Sequence, residues 1–360
     1  MTAADVSAAM LLVGPRHFTP TSLRVPEVEY GGWLRIEATG ISGVEVQAWK
    51  GTSRLVKYPL VPGHEVVGRI VADPTGAFGL ELGSRVVVES NIRCGTCHRC
   101  RSGLSSCSGR RPTNAYGQVP STEPPGLWGG LAEYLYLDPS ARLHPVDERV
   151  PGAVAAFAHA LAAGFTWAVE TPSLRPGESV LVLGPGPRGL ASLVAARAAG
   201  AGWVGVSGLG HDTDRLRLAE DLGADLVVDV STDDLASSVA DSLGTRPDVV
   251  VDVTSNDSEV VLTALDLVRP GGTVVLASTK GTNAIAQLFS DIIVLKELRL
   301  QGAFGASSTA YHWATRQIGT DDRLDRMVSH EFPLDEADRA IQATAGLLGH
   351  DQLISVAVTP

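Results

Sequence analysis

No apolar run approaches the roughly 20 residues that a membrane-crossing helix needs, and the N-terminal stretch Met1–Val13 lacks the basic flank of a secretory signal. Those two absences predict a cytoplasmic protein that engages no membrane. A basic excess is missing as well. With 29 Lys and Arg against 40 Asp and Glu, and a net charge of −11 at pH 7, the chain offers no broad surface for nucleic acid, because phosphate binding needs concentrated cations. Cysteine is scarce: there are 4, all within Cys94–Cys107. Thiols crowded into one segment of an intracellular chain favour a metal over disulfides. Disorder is excluded too, since 44% of residues are hydrophobic and 19% charged. What is present is a globular chain of 360 residues, longer than a single core usually grows, so two domains are expected.

From Leu23 to Leu143 the chain alternates short apolar runs such as Leu34–Thr39, Val66–Ala72 and Ser84–Glu89 with Gly, Pro and polar turns, which predicts a mainly β domain. Arg101–Gly130, rich in Gly, Pro, Ser and Arg, is expected to form long surface loops. The alanine-rich stretch Ala153–Val169 suits a helix. Beyond it, six strand-like runs (Ser179–Gly184, Trp203–Ser207, Asp225–Asp229, Asp248–Val253, Thr273–Ala277 and Leu298–Gly302) alternate with segments long enough for crossover helices. That alternation describes an α/β, doubly wound, parallel six-stranded sheet. The expected organisation is a mainly β domain over residues 1–160 and 304–360, with a cysteine lobe at about 92–110, and a sheet domain over 161–303 inserted into it. Leu353–Val358 should supply a last strand to the first domain.

Gly184, Gly186 and Gly189 form G-x-G-x-x-G after a predicted strand and before a predicted helix, with Pro187 and Arg188 completing the loop. The first glycine permits the tight turn, the second lets the backbone approach a pyrophosphate, and the third allows close helix–strand packing. The helix N-terminus then presents free N–H groups to the anion. NAD enzymes usually carry Asp or Glu at the end of the second strand. Here Ser207-Gly208-Leu209-Gly210 stands there, followed by His211 and Arg215. Without that carboxylate a 2′-phosphate is not repelled, and Ser207, Gly208 and Arg215 could hold it, so NADP is favoured over NAD. Asp212 is the alternative partner, for an NAD ribose.

Cys94, Cys97, Cys100 and Cys107 offer four soft ligands in one short segment, suited to a closed tetrahedral zinc, one per chain, that folds the lobe and performs no chemistry.

Taken in order, Gly40-Ile41-Ser42-Gly43, Pro62-Gly63-His64-Glu65, the cysteine lobe, Gly129-Gly130-Leu131-Ala132-Glu133-Tyr134 and the glycine loop resemble the zinc-containing medium-chain dehydrogenases, from about Leu23 to the C-terminus. The resemblance implies a GroES-like catalytic domain, a Rossmann domain, a small-molecule substrate bound in a cleft between them, and a homodimer or homotetramer. Departures from the family pattern are as informative. Ser42 stands where the family has a cysteine ligand of the catalytic zinc, Val44 where a Ser or Thr relays the alcohol proton, and Glu45 where Asp is usual. His64 matches the histidine ligand, Glu65 its neighbouring carboxylate, and His159 falls on the remaining ligand position.

A neutral hydroxyl binds zinc poorly, so the catalytic zinc is expected to be weakened or absent, although His64, Glu65 and His159 could still supply three ligands. The expected function is hydride transfer between a nicotinamide cofactor and a small alcohol or carbonyl compound. Without metal, a histidine pair can act as base and oxyanion donor for an alcohol. The alternative is a metal-independent NADPH reductase of an activated C=C or iminium bond, with His64, His159, Glu45 or Glu65 giving the proton. A zinc-containing binding module without catalysis is a third reading, which the acidic charge opposes. Trp49, Tyr116, Trp128 and Trp313 are pocket walls or packing residues with equal claim.

Overall fold

In this computed structural model the described residues are 5–104, 107, 115–255, 257–281, 283, 285, 287–349 and 353–360. The chain divides into two compact units, Met1–His159 with Tyr311–Pro360, and Ala160–Ala310. The return to the first unit therefore falls at Tyr311, later than the Phe304 expected from sequence. Residues past Phe304 stay with the second unit because Trp167 Nε1 donates to the Gly305 carbonyl at 2.9 Å and Ser307 Oγ donates to Glu170 at 2.9 Å.

The first unit is built on a seven-stranded sheet. Its central strand, Gly32–Ile41, pairs antiparallel with Glu65–Ala72, Tyr134–Leu137 and Val356–Thr359. The last of these is the C-terminal strand that the sequence predicts. Most of Gly32–Ile41 is buried, with Leu34, Ile36 and Ala38 inside, Arg35 exposed and Glu37 half-buried, the alternation of a strand with one face on the core. Tyr116, Trp128 and Tyr136 fill the core beside it: Trp128 meets Tyr136 edge-on at 4.8 Å, and its Nε1 donates to the Glu123 carbonyl at 2.9 Å. Trp49 is buried as well, so these aromatics pack the interior. This corrects the surface-loop expectation for Arg101–Gly130. Its later part contains Tyr116, Val119, Leu127 and Trp128, all buried, because large apolar rings gain more by leaving water than loop composition suggests. Residues 105–106 and 108–114 of that stretch lie outside the described set.

The second unit carries a six-stranded parallel sheet in the order Leu226–Asp229, Trp203–Gly208, Ser179–Leu183, Val249–Asp252, Thr273–Leu276, Arg299–Gly302. Numbered along the chain this is 3-2-1-4-5-6, the doubly wound Rossmann order. Predicted helices recur with trimmed ends. Leu235–Leu243, for example, starts where the Asp234 side chain accepts from Ser237 N–H at 2.8 Å and stops at Gly244 in the left-handed conformation. The helix expected over Leu288–Glu297 shortens to Asp291–Leu295.

The helical run Gly152–Glu170 qualifies the expectation about apolar length. The run has 19 residues, and an 18-residue window of it has a mean hydropathy of 1.5, long and apolar enough to cross a membrane, yet 78% of that window is buried within the protein. It is a core helix by that measure.

Candidate active site and cofactor loop

Two glycine-rich segments fix where His64 stands. Gly63 has φ of 102°, and its carbonyl accepts from Gly130 N–H at 2.9 Å, while Leu131 N–H donates to Pro62 O at 2.9 Å. A Cβ on Gly129 would lie 1.8 Å from the Val61 carbonyl, so only glycine permits that approach. The next residue, Glu65, opens its strand opposite Gly40, where a Cβ would come within 2.6 Å of Glu65 Oε2. Glycines at 40, 63 and 129 thus make room for a buried histidine and carboxylate.

Around them the structure gathers a cluster inside one unit. His64, Glu65 and His159 are all buried. Glu65 Oε1 lies 3.7 Å from His64 Nε2 and 4.0 Å from His159 Nε2, and the two imidazoles meet edge to face at 4.9 Å. The opposite nitrogen of each ring is held by another side chain. His64 Nδ1 is 2.6 Å from Glu45 Oε1, and His159 Nδ1 is hydrogen-bonded to the Tyr311 hydroxyl. Tyr311 itself accepts from Ser90 N–H at 3.2 Å and stacks on His144 at 5.2 Å, whose Nε2 pairs with buried Glu89 at 2.9 Å. No sequence motif points to Tyr311, which is separated from His159 by 152 positions.

Ser42, at the family's cysteine-ligand position, is engaged at a helix end. It caps the helix Gly43–Lys50: its Oγ accepts from Val44 N–H at 3.1 Å and donates to Glu45 Oε2 at 3.0 Å, and Glu45 Oε2 takes Ser42 N–H at 2.9 Å. This is a capping box, a mutual satisfaction of helix-end donors. Glu45 is the shared element. Burial would raise its carboxyl, but the charge and hydrogen bond of His64 and the two donors of Ser42 overcome burial and hold it below the usual carboxylate range. An ionised Glu45 only accepts, so His64 Nδ1 carries a proton, and Nε2 is the ring nitrogen on the Glu65 side.

The four cysteines converge, with all their sulfurs within 4.8 Å of one another. Cys94 and Cys100 are 4.0 Å apart and Cys97 and Cys107 3.9 Å apart. A tetrahedral zinc with bonds of about 2.3 Å needs sulfurs about 3.8 Å apart, so this lobe fits a structural zinc. Backbone N–H groups of Cys97 and Cys100 point at the sulfurs of Cys94 and Cys97, each at 3.4 Å, which favours thiolates.

In the second unit the glycine loop has the geometry that a dinucleotide needs. Gly184 has φ of 103°, and a Cβ on Gly189 would sit 1.9 Å from the Gly184 carbonyl. At Gly186 a Cβ would meet nothing within 4 Å, leaving open space above the backbone where a pyrophosphate would lie. Pro187 occupies the first turn of Pro187–Ala198 with Gly186 as its cap. The Arg188 guanidinium lies over Trp167 at 5.7 Å. The neighbouring strand is less open than expected. Ser207 is buried, with its carbonyl taking Gly184 N–H at 3.0 Å, and Gly208 packs against Pro185. Arg215 Nη1 pairs with Asp212 Oδ1 at 3.0 Å, and Asp212 Oδ2 caps Leu209 N–H at 3.1 Å.

A Rossmann-ordered sheet with this loop, in one chain with a GroES-like unit that carries a buried His/Glu cluster, defines an NAD(P)-dependent oxidoreductase. Residues 33–148 match the alcohol dehydrogenase GroES-like domain and residues 187–319 the zinc-binding dehydrogenase domain. A probable alcohol dehydrogenase of Mycobacterium tuberculosis is 40% identical over 340 residues, 92% of this chain and 90% of that protein. The erythritol/L-threitol dehydrogenase of Mycolicibacterium smegmatis is 27% identical, covering 94% of each. Among solved structures, a zinc-binding dehydrogenase from Sinorhizobium meliloti bound to NADP superposes with a TM-score of 0.85 at 26% identity over 99% of this chain and 100% of that one. The chain belongs to the zinc-containing medium-chain dehydrogenase/reductase family, alcohol dehydrogenase-like.

Proposed function

We propose that this enzyme interconverts a small alcohol and its carbonyl compound with NADP, using a histidine pair in place of a catalytic zinc. The observation that carries the reading is the capping role of Ser42. The hydroxyl standing where the family places a thiolate ligand is committed to Val44 N–H and Glu45. Two imidazoles and one carboxylate remain, with donor atoms 3.7 and 4.0 Å apart, against edges of about 3.4 Å for a tetrahedron of zinc–nitrogen and zinc–oxygen bonds. Distances of this size alone would admit a cation. The set lacks the family's thiolate, which offsets charge as a hydroxyl cannot; two imidazoles and one carboxylate are nonetheless a set that a catalytic zinc accepts, so the metal-free reading rests on the lost thiolate.

The same residues fit general base catalysis. Glu45 orients His64 and stabilises its protonated form, as the carboxylate of a catalytic triad does for its histidine. In the oxidative direction His64 Nε2 would take the proton of the substrate O–H as the carbon loses its hydride, leaving the carbonyl. Glu65 lies close enough to offset the charge that His64 gains. The bound dinucleotide supplies the hydride acceptor or donor.

NADP is preferred because residues 207–211 contain no carboxylate to repel a 2′-phosphate, and the Arg215 guanidinium, paired with Asp212, follows close by in the chain. The Mycolicibacterium relative makes a small polyol a reasonable first substrate to try. Titration of the purified protein should give a Kd for NADP about tenfold or more below that for NAD; tighter binding of NAD would refute the assignment. Turnover of enones or iminium compounds with ketones and alcohols inert would instead move the enzyme to the reductase class.

A further inference from the structure

We propose that Lys280 is a positioning residue for the nicotinamide half of the dinucleotide, acting through Asp252 and Thr254 to hold the chain beside the glycine loop. The inference rests on the NAD(P)-dependent class, and on neither the choice between NADP and NAD nor the metal-free centre.

The strand order sets where that half must lie. A doubly wound sheet binds a dinucleotide outside the carboxyl ends of its strands, one mononucleotide on each side of the point where the order reverses. Strands Ser179–Leu183 and Val249–Asp252 are neighbours at that point. The ends of the first three strands serve the adenosine side, so the ends of Val249–Asp252 and Thr273–Leu276 serve the nicotinamide side. Asp252 closes the first of these two strands, and Lys280 follows shortly after the second. Thr254 touches the loop itself: a Cβ on Gly184 would stand 3.1 Å from Thr254 Cγ2 and 3.6 Å from its backbone nitrogen.

Lys280 spends its donors on these residues. Its Nζ donates to the Thr254 carbonyl at 2.5 Å, to Thr254 Oγ1 at 2.8 Å and to Asp252 Oδ1 at 3.0 Å. Thr254 in turn gives that same Oδ1 its N–H at 2.9 Å and its O–H at 2.6 Å. Asp252 is fully buried, and Lys280 Nζ lies 2.8 Å from its Oδ2. Such a pair adds little net stability, because desolvation offsets the attraction. Its effect is geometric: one ammonium binds the end of one strand to the chain that follows the next, and keeps Thr254 against Gly184.

Lys296 provides the contrast within the same sheet. Its Nζ donates to the carbonyls of Leu265, Asp266 and Val268 at 2.9, 2.6 and 3.2 Å, closing the end of helix Val260–Leu267. Those contacts lie before strands Thr273–Leu276 and Arg299–Gly302 begin, at the amino ends, away from where a dinucleotide binds.

The test compares wild type, Lys280→Met and Lys296→Met by calorimetric titration with NADP and with adenosine 2′,5′-bisphosphate, which is the adenine half alone, beside a melting curve. Lys280→Met should weaken NADP roughly tenfold, as loss of a hydrogen bond to a charged group does. It should leave the bisphosphate within about twofold, since the adenine side keeps its contacts. Lys296→Met should lower Tm with both affinities within about twofold. Should Lys280→Met fail to fold because Asp252 is left buried and unpaired, Lys280→Met combined with Asp252→Asn carries the same expectations. Unchanged NADP binding, equal weakening of both ligands, or an equal loss in Lys296→Met overturns the inference. NAD with ADP serves the comparison equally, so a preference for NAD or a second zinc would refute the proposed function and leave this result readable.

Discussion

Replacing His64 by Asn is expected to lower kcat/KM by roughly 10²–10⁴, the usual contribution of a positioned general base, while NADP affinity stays within about twofold. The expectation follows from three contacts. Glu45 holds His64 Nδ1 at 2.6 Å, Glu65 lies 3.7 Å from Nε2, and the ring is buried where water cannot substitute as base. Asn can reproduce the hydrogen bond toward Glu45 but offers no basic nitrogen. Steady-state kinetics with the best alcohol found, alongside cofactor titration, separates the two quantities. A loss below about tenfold would mean that the proton leaves by another route, and His64 would be reduced to a packing residue.

Glu45→Ala should cost stability as well as activity. The substitution leaves His64 buried without its anionic partner, strips the Ser42 cap of its reciprocal acceptor, and opens a cavity. Breaking a buried pair in this way costs about 3–5 kcal/mol, a drop in Tm on the order of 10 °C. The carboxyl of Glu45 lies below its ordinary value in the folded protein, so it binds fewer protons there than in the unfolded chain. Its contribution is therefore fully present above the ordinary value of 4.5 and is lost as pH falls through the lowered folded value. Glu45→Gln should accordingly flatten the acid limb of the wild-type Tm profile below about pH 5. Melting curves from pH 3 to 7 check both statements, and an acid limb unchanged in Glu45→Gln would contradict the assigned charge.

How far the chain could be read without coordinates depended on the range of the interactions. The six parallel strands and the glycine loop are legible because each is a local pattern: apolar runs of strand length, then Gly184, Gly186 and Gly189 before a helix. The cysteine lobe is legible for the same reason. Ser42 shows a local signal that was outweighed. Ser42-Gly43-Val44-Glu45 spells a capping box, S-x-x-E before the apolar Val46, yet alignment to a zinc-ligand position directs attention to the missing thiolate and away from the helix end. Position 42 now serves helix Gly43–Lys50 and, through Glu45, the orientation of His64.

Tyr311, Ser90 and His144 could not be found this way. Their meeting with His159 depends on the return of the chain from the second unit, and no spacing rule joins residues so far apart. The buried stretch from Tyr116 to Trp128 was hidden for another reason. Its Gly, Pro and Ser content signals irregular backbone, and irregular backbone can still be interior when its polar groups find partners, as Gly117 N–H does with the Trp128 carbonyl at 2.7 Å.

The most direct test of a histidine pair acting without a catalytic metal is the zinc content of the purified enzyme, measured together with turnover during graded chelation. One zinc per chain is predicted, held by Cys94, Cys97, Cys100 and Cys107, with full kcat at that single equivalent and loss of activity only as the fold itself is lost. A second equivalent, whose removal from the folded protein abolishes turnover and whose return restores it, would contradict the account.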